Sequence, residues 1–324
     1  MTLKENLIEI LNPQNQLNLY GYNEKFKLIA DYFDKNKMPK SILFSGQKGI
    51  GKATFAYHIV NYLLSKNESN NYSLTNFFIN EKNQSYRFIN NNTHSNFFLI
   101  DNVTSEKDIK IEQVRELFKF INKSTYKKDL KIVLIDNADK LNVNSANALL
   151  KVIEDPGDNT FFIIIHDDRT QILETLKSRC IEFKFSLSVA AKQHIFESLL
   201  QQYNYKESIN IPQENFYYES PGNLIRYIFT LQKANIDIFD NELKTLIHLI
   251  DSIKKENKQS SLSFISYSIL KFYNRLLSSP NKYSNINYFN CIKIIKMIND
   301  MKKFNLDEKN TLFSIKNILL NATK

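Results

Sequence analysis

The chain has 324 residues and a formal net charge of +9, yet only six Gly, six Pro, two Cys and no Trp. At 43% hydrophobic and 24% charged it can build two or three domains with substantial cores, and it is neither collagen-like, linker-like nor low-complexity. Cys180 and Cys291 are too few for a disulfide framework or a Cys₄ zinc site, which makes the reducing cytoplasm the expected compartment. From Met1 to Leu11 the chain carries Glu5 and Glu9 and no apolar core with a cleavage site, so no secretory signal is expected. No run approaches the roughly 18 apolar residues that span a bilayer.

The first strong element is the apolar run Ser41-Ile-Leu-Phe-Ser45, read as a buried strand. It runs into Gly46-Gln-Lys-Gly49-Ile-Gly51-Lys52-Ala53-Thr54, and Phe55, Ile59, Tyr62 and Leu63 then recur at helical spacing. Residues 65–96 are crowded with Asn and Ser, have no clear period, and read as an extended, exposed connection. A second strand is expected over 96–100, and an amphipathic helix through Ile111, Val114, Leu117, Phe118 and Ile121. Lys131-Ile-Val-Leu-Ile-Asp136 is apolar almost throughout, as in a parallel strand covered on both faces. A helix over 145–153 stops at Asp155-Pro156-Gly157, a fourth strand occupies 160–165, a short helix 172–176, and a fifth strand 181–185. Strands alternating with helices imply a parallel α/β sheet. Beyond residue 187 the periods are helical, through 189–203, a helix starting at Pro221-Gly222, and further helices from Asn241 onward with a break near Ser278-Ser-Pro280. The expected division is an α/β domain over 1–186, a small helical domain over 187–238 and a separate all-α C-terminal domain over 239–324.

The basic balance carries less information than its size suggests. Lys supplies 37 of the 43 basic residues and Asn reaches 41, a bias that AT-rich codons produce by themselves. Nucleic-acid binding and compositional drift both account for the charge. Lys107, Lys110, Lys127, Lys128 and Lys131 form a scattered basic group read as a solvated face in preference to a DNA track.

Strand, glycine loop and helix form the context of a phosphate-binding loop, and Gly46-x4-Gly51-Lys52 has the Walker A spacing up to its last position. Gly46, Gly49 and Gly51 let backbone N–H groups turn inward around phosphate oxygens, the helix N-terminus adds its positive end, and Lys52 would bridge the outer phosphates. The competing reading is a glycine turn with a structural lysine. The next position should offer a hydroxyl to Mg²⁺ but is Ala53. Thr54 is no obvious substitute, because one helical residue rotates its side chain by about 100°. Asp136, at the end of an apolar strand, stands where a metal-organising carboxylate belongs, or is an ordinary loop carboxylate. Its successor is Asn137, with Asp139 two further on. Asn can bond to a water but cannot accept its proton. Ala53 and Asn137 together predict a loop that is not an efficient ATPase.

Four segments occur in a fixed order: Gly49-Ile-Gly-Lys-Ala-Thr-Phe-Ala-Tyr57, Ile135-Asp-Asn-Ala-Asp139, Ala146-Asn-Ala-Leu-Leu-Lys-Val-Ile-Glu-Asp-Pro156 and Ser178-Arg179-Cys180. Together they resemble the delta-prime family of bacterial DNA polymerase III clamp-loader subunits, which are AAA+ proteins. The resemblance covers roughly residues 17–230. The C-terminal third shares only length and helical character. It implies an AAA+ P-loop sheet domain, a helical lid and a helical collar for oligomerisation. Arg179 matches the family's arginine finger, offered in trans to the ATP of a neighbouring subunit. A salt bridge within its own sheet edge, to Glu182, is the alternative.

The chain departs from the family pattern at several points. Where many members carry four zinc-binding Cys between the loop helix and the second strand, this interval has none, so no zinc is expected. The sensor-1 position, usually Thr or Asn in ATPase subunits, falls among His166, Asp167 and Asp168. The sensor-2 arginine is replaced by Gly222, with Arg226 one turn later read as a solvated charge. His58 and His166 read as ordinary helix and loop histidines, Cys180 as a small buried residue, and Leu262, Ile265, Ile269 and Phe272 mainly as core. The implied function is a subunit that needs no cofactor, leaves room for ATP or ADP held without hydrolysis, completes the ring and supplies Arg179. Its implied partners are gamma/tau ATPase subunits, delta, and, through the complex, the sliding clamp and primer–template DNA. It is then a component of the DNA polymerase III holoenzyme whose polymerase chemistry lies in other subunits. An active gamma/tau-type ATPase and a non-replicative scaffold with a dead loop remain as alternatives.

Overall fold

The computed structural model describes residues 11–101, 109–122, 130–157, 159–203, 213, 215–233, 284–304 and 306–321, with single positions between 243 and 276. The chain divides into two compact units, Met1–Ile225 and Arg226–Lys324, considered separately below.

The first unit is built on one five-stranded sheet: β1 (Ser41–Gly46), β2 (Phe97–Asp101), β3 (Lys131–Asp136), β4 (Thr160–Asp167) and β5 (Ile181–Phe185). All pairs are parallel and the order is β2-β3-β4-β1-β5. Every residue of β1 is buried, which explains why its sequence does not alternate: both faces are covered. Side chains point alternately to the two faces. Ile42, Phe44, Ile132, Leu134, Ile163 and Ile165 enter one core, while Leu43, Val133, Ile135, Phe162 and Ile164 enter the other.

The first face is covered by α1 (Asn23–Asp34) and α2 (Lys52–Leu64). Its centre is aromatic: Phe55 meets Phe26, Phe44 and Phe185 with ring centroids 5.7, 5.4 and 5.0 Å apart. The second face is covered by α4 (Ile111–Asn122), α5 (Val143–Glu154) and the short α6 (Glu174–Lys177) through Leu117, Leu149, Val152, Ile153 and Leu176. Asn142 caps α5, its Oδ1 accepting from the Ser145 N–H at 2.8 Å. The Lys131 ammonium turns inward and donates to the carbonyls of Phe120 (3.1 Å) and Ile121 (2.7 Å) at the C-terminal end of α4. Lys131 therefore leaves the expected basic face, and Lys107, Lys127 and Lys128 lie outside the described residues.

Residues 65–96 differ from the exposed connection expected of them. They contain α3 (Gln84–Asn90) and bury Tyr72, Phe77, Ile79 and Ile89. Segments 17–19 and 77–79 exchange backbone bonds, Leu19 N–H to Phe77 O at 3.1 Å and Ile79 N–H to Leu17 O at 2.9 Å. His58 ties the same layers together, with Nδ1 3.0 Å from the Tyr72 hydroxyl and Nε2 3.1 Å from the Gln16 carbonyl. Single aromatics spaced irregularly between Asn and Ser carry no period, so a fold made by such long-range pairing leaves no local signal. The other strands lie within a residue or two of expectation.

Helices α7 (Val189–Gln202), α8 (Asn215–Tyr218) and the start of α9 (Pro221–Lys233) complete the first unit. In the second, α10 (Ser284–Phe304) and α11 (Glu308–Asn321) pack with Leu246, Ile250, Ile269, Phe272 and Tyr273 around Ile294, Ile298, Leu312 and Ile315. Leu262, Ile265 and the break near Ser278-Ser-Pro280 lie outside the described residues. Among the described residues no helix is long and apolar enough to cross a membrane.

Candidate functional site

The glycine loop joins β1 to α2 at the carboxyl ends of the strands, the edge where open α/β sheets bind ligands. Gly46 closes β1 at φ +150°, and a Cβ there would lie 2.3 Å from the Phe185 carbonyl oxygen. Gly49 (φ +80°) and Gly51 (φ +102°) take the left-handed turns that bring the chain into the helix. These three glycines, Lys52, Ala53 and Thr54 form one loop and first helical turn, with Asp136 and Asp139 facing them from the end of β3 and the turn after it.

Lys52 is only 5% exposed. Its ammonium donates to the Gly46 carbonyl at 2.5 Å and the Gln47 carbonyl at 2.9 Å. Burial pulls its pKa down, and Asp167, Asp168, Asp136 and Asp139 push it back up. Asp136 is register partner to Asp101 on β2. Burial raises the Asp136 carboxyl to about 6; Lys52 opposes the rise and Asp101 adds to it. His166 and Asp167, at the end of β4, are turned to Asp139, whose Oδ1 lies 3.3 Å from His166 Nδ1 and accepts from the Asp167 N–H at 3.3 Å. Burial raises Asp167, but bonds and charge from Arg169, with Lys52 behind, hold it below the usual carboxylate range.

The start of α9 sits directly on the loop, a contact the sequence did not reveal. The Gly222 N–H donates to the Gly49 carbonyl at 3.1 Å. The Ser220 hydroxyl donates to the Lys48 carbonyl at 2.9 Å. A Cβ on Gly222 would come 2.6 Å from Gly49 O, and one on Gly49 would come 2.4 Å from Ser220 Oγ. From α7 the buried Lys192 donates to Gln47 Oε1 at 3.3 Å and to the Phe216 carbonyl at 2.9 Å. The missing side chain of Gly222 is what lets the start of α9 touch the loop.

Ala53 leaves this loop without the side-chain oxygen that the position after Lys52 would offer a nucleotide-bound cation. The Lys52 ammonium is held by two loop carbonyls, and Asp167, Asp168, Asp136 and Asp139 act on it electrostatically.

Arg179 lies elsewhere in the unit, between α6 and β5. Its Nε donates to Glu154 Oε1 at 2.7 Å, its Nη2 is 2.6 Å from the same oxygen, and its Nη1 donates to the Thr175 carbonyl at 2.8 Å. The expected alternative partner was Glu182, but that carboxylate is taken by the Ser45 hydroxyl at 2.5 Å and by Lys177 at 3.7 Å. Glu182 is the register neighbour of Leu43 on β1, and its carboxylate is occupied on that face by Ser45 and Lys177. Glu154 lies in one of the four segments that carry the family resemblance, but no local spacing links it to Arg179. The Cys180 thiol beside Arg179 is pushed up to about 11 by burial, as befits an inert packing residue.

Residues 21–188 match the family described as DNA polymerase III, delta subunit. The chain belongs to that family. The delta-prime subunit of Pseudomonas aeruginosa DNA polymerase III is 37% identical over 99 residues, 31% of this chain and 30% of that one. The delta-prime subunit of Buchnera aphidicola subsp. Schizaphis graminum is 26% identical over 312 residues, 92% of this chain and 85% of that one. Among solved structures, a gamma subunit-related protein of Thermotoga maritima superposes with a TM-score of 0.51 at 15% identity, over 92% of this chain and 99% of that one. That likeness speaks to the fold alone, an α/β P-loop sheet with helical parts.

Proposed function

We propose that this family member is a non-hydrolysing clamp-loader subunit. It assembles with gamma/tau-type ATPase subunits and delta in a cytoplasmic ring, and presents Arg179 to the ATP of one neighbour. The ring then opens a sliding clamp and places it on primed DNA. Residues 187–238 are its lid and residues 239–324 its collar.

The observation that carries this reading is the contrast between two sites on one chain. The phosphate loop is filled by its own contacts: Lys52 on its carbonyls, Gly222 on Gly49, Ala53 without a metal ligand. Arg179, 37% exposed, keeps a permanent charge in a planar fork near the surface. An arginine delivered across an interface stabilises charge on a transferring phosphoryl group by roughly 10³–10⁵-fold at the site it serves.

The test is a reconstituted ring in which every ATPase subunit but the one facing Arg179 carries a substituted P-loop lysine. Arg179→Ala should leave assembly intact and lower clamp- and DNA-stimulated turnover at that site by about 10³-fold. Unchanged turnover refutes the finger, and ATP hydrolysis by the isolated chain refutes the inactive loop.

A further inference from the structure

We propose that Glu154 is a positioning residue for Arg179, holding its guanidinium at the angle in which it meets a neighbour's phosphate. The inference rests on the reading of Arg179 as a finger acting in trans.

Both anchors of Arg179 stand on rigid elements. Glu154 is the last residue of α5, a helix capped by Asn142 and fastened to the sheet by Leu149, Val152 and Ile153. Thr175 lies in α6, one residue before the fully packed Leu176. The Thr175 carbonyl accepts from the Ser178 hydroxyl at 3.2 Å as well as from Arg179 Nη1. Ser178-Arg179-Cys180 thereby acquires a mechanical reading. Ser178 closes the turn onto Thr175, Cys180 packs against the second-face core, and Arg179 is projected between them.

A guanidinium has five N–H groups, and three nitrogens each spend one on this chain. The remaining two are available for a partner. The contacts to Glu154 both converge on a single oxygen, Oε1. A free arginine samples many rotamers, and catalysis by positioning is lost steeply when a group strays by an ångström. Glu154 itself is half exposed, so a phosphate can approach the outer edge of the fork without the carboxylate being removed.

The convergence on one oxygen gives an unusual order of variants. Glu154→Gln keeps an oxygen of the same reach and loses the charge. Glu154→Asp keeps the charge and withdraws it by one methylene. In the ring with one working site, Glu154→Gln should turn over within about 3-fold of the parent, whereas Glu154→Asp and Glu154→Ala should lose roughly 10–100-fold in kcat with KM unchanged. Glu154→Ala combined with Arg179→Ala should be no worse than Arg179→Ala alone, since the two act as a unit.

Several results overturn the inference while leaving the finger reading intact. These are full activity of Glu154→Ala beside an impaired Arg179→Ala, faster turnover in any Glu154 variant, Glu154→Asp outperforming Glu154→Gln, or an additive double variant. An unaffected Arg179→Ala fails the finger reading itself. Should Glu154→Ala not assemble, the order of the Gln and Asp variants decides.

Discussion

Asp136→Asn should make the protein more stable near neutral pH. In the folded chain burial raises the Asp136 carboxyl to about 6, against an ordinary 3.8. The folded state therefore holds its proton more tightly than the unfolded state. The contribution of Asp136 to stability is fully present below the unfolded pKa and is lost as pH rises through about 6. At 1.36 kcal/mol for each tenfold, an aspartate that is ionised at about pH 7.5 costs about 2–3 kcal/mol. Asn has nearly the same shape and no charge, so it removes that cost. For a unit of this size the gain corresponds to roughly 5–10 °C in Tm. The assay is thermal and urea unfolding of both proteins from about pH 8 to about pH 4. The gain should be largest at the alkaline end and fall below about 1 kcal/mol at the acid end, where the wild-type carboxyl is neutral in the folded state. An Asp136→Asn protein no more stable than wild type at about pH 7.5, or one whose gain ignores pH, would refute the account of a destabilising charge held at the end of β3.

Two further outcomes follow from buried groups. Gly222→Ala drives a Cβ to 2.6 Å from the Gly49 carbonyl oxygen, so the start of α9 must move off the loop; the expected loss is about 1–3 kcal/mol, with faster amide exchange at residues 47–51, and an unchanged urea midpoint would count against the clamp. His58 has its pKa pulled down to about 3, chiefly by burial and against the opposing Gln16 carbonyl. Its sign is opposite to that of Asp136: stability is present above the unfolded pKa of about 6.5 and is lost as pH falls, by about 2 kcal/mol at about pH 5. His58→Gln should be less stable at about pH 7.5, through lost packing, yet show a flatter acid limb. An acid limb as steep as that of wild type would assign it to other groups.

What was legible in the sequence was local. Continuous apolar runs disclosed the central strands, because a parallel strand covered on both faces has no polar positions. Gly46, Gly49 and Gly51 disclosed the loop, because few residues other than glycine tolerate those turns. At Ala53 and Asn137 a missing hydroxyl and a missing carboxylate can be read one residue at a time. Arg179 came from an ordered set of short segments and not from its surroundings.

Only the tertiary structure decided what those residues touch. Glu182 stands three positions from Arg179 in sequence, but its carboxylate is taken by Ser45 and Lys177; Glu154, 25 positions away, is the partner that packing of the helices on the second face supplies. The contact between Gly222 and Gly49 joins segments with no shared period and depends on the absence of a side chain. Residues 65–96 looked unstructured because their order comes from aromatics docking onto α1 and α2, with no pattern of their own. Composition and spacing determine which groups a chain owns and which elements it forms. The free energy of burying and pairing those groups across the fold decides which of them face each other, and it is there that Lys52 was turned inward and Arg179 held near the surface.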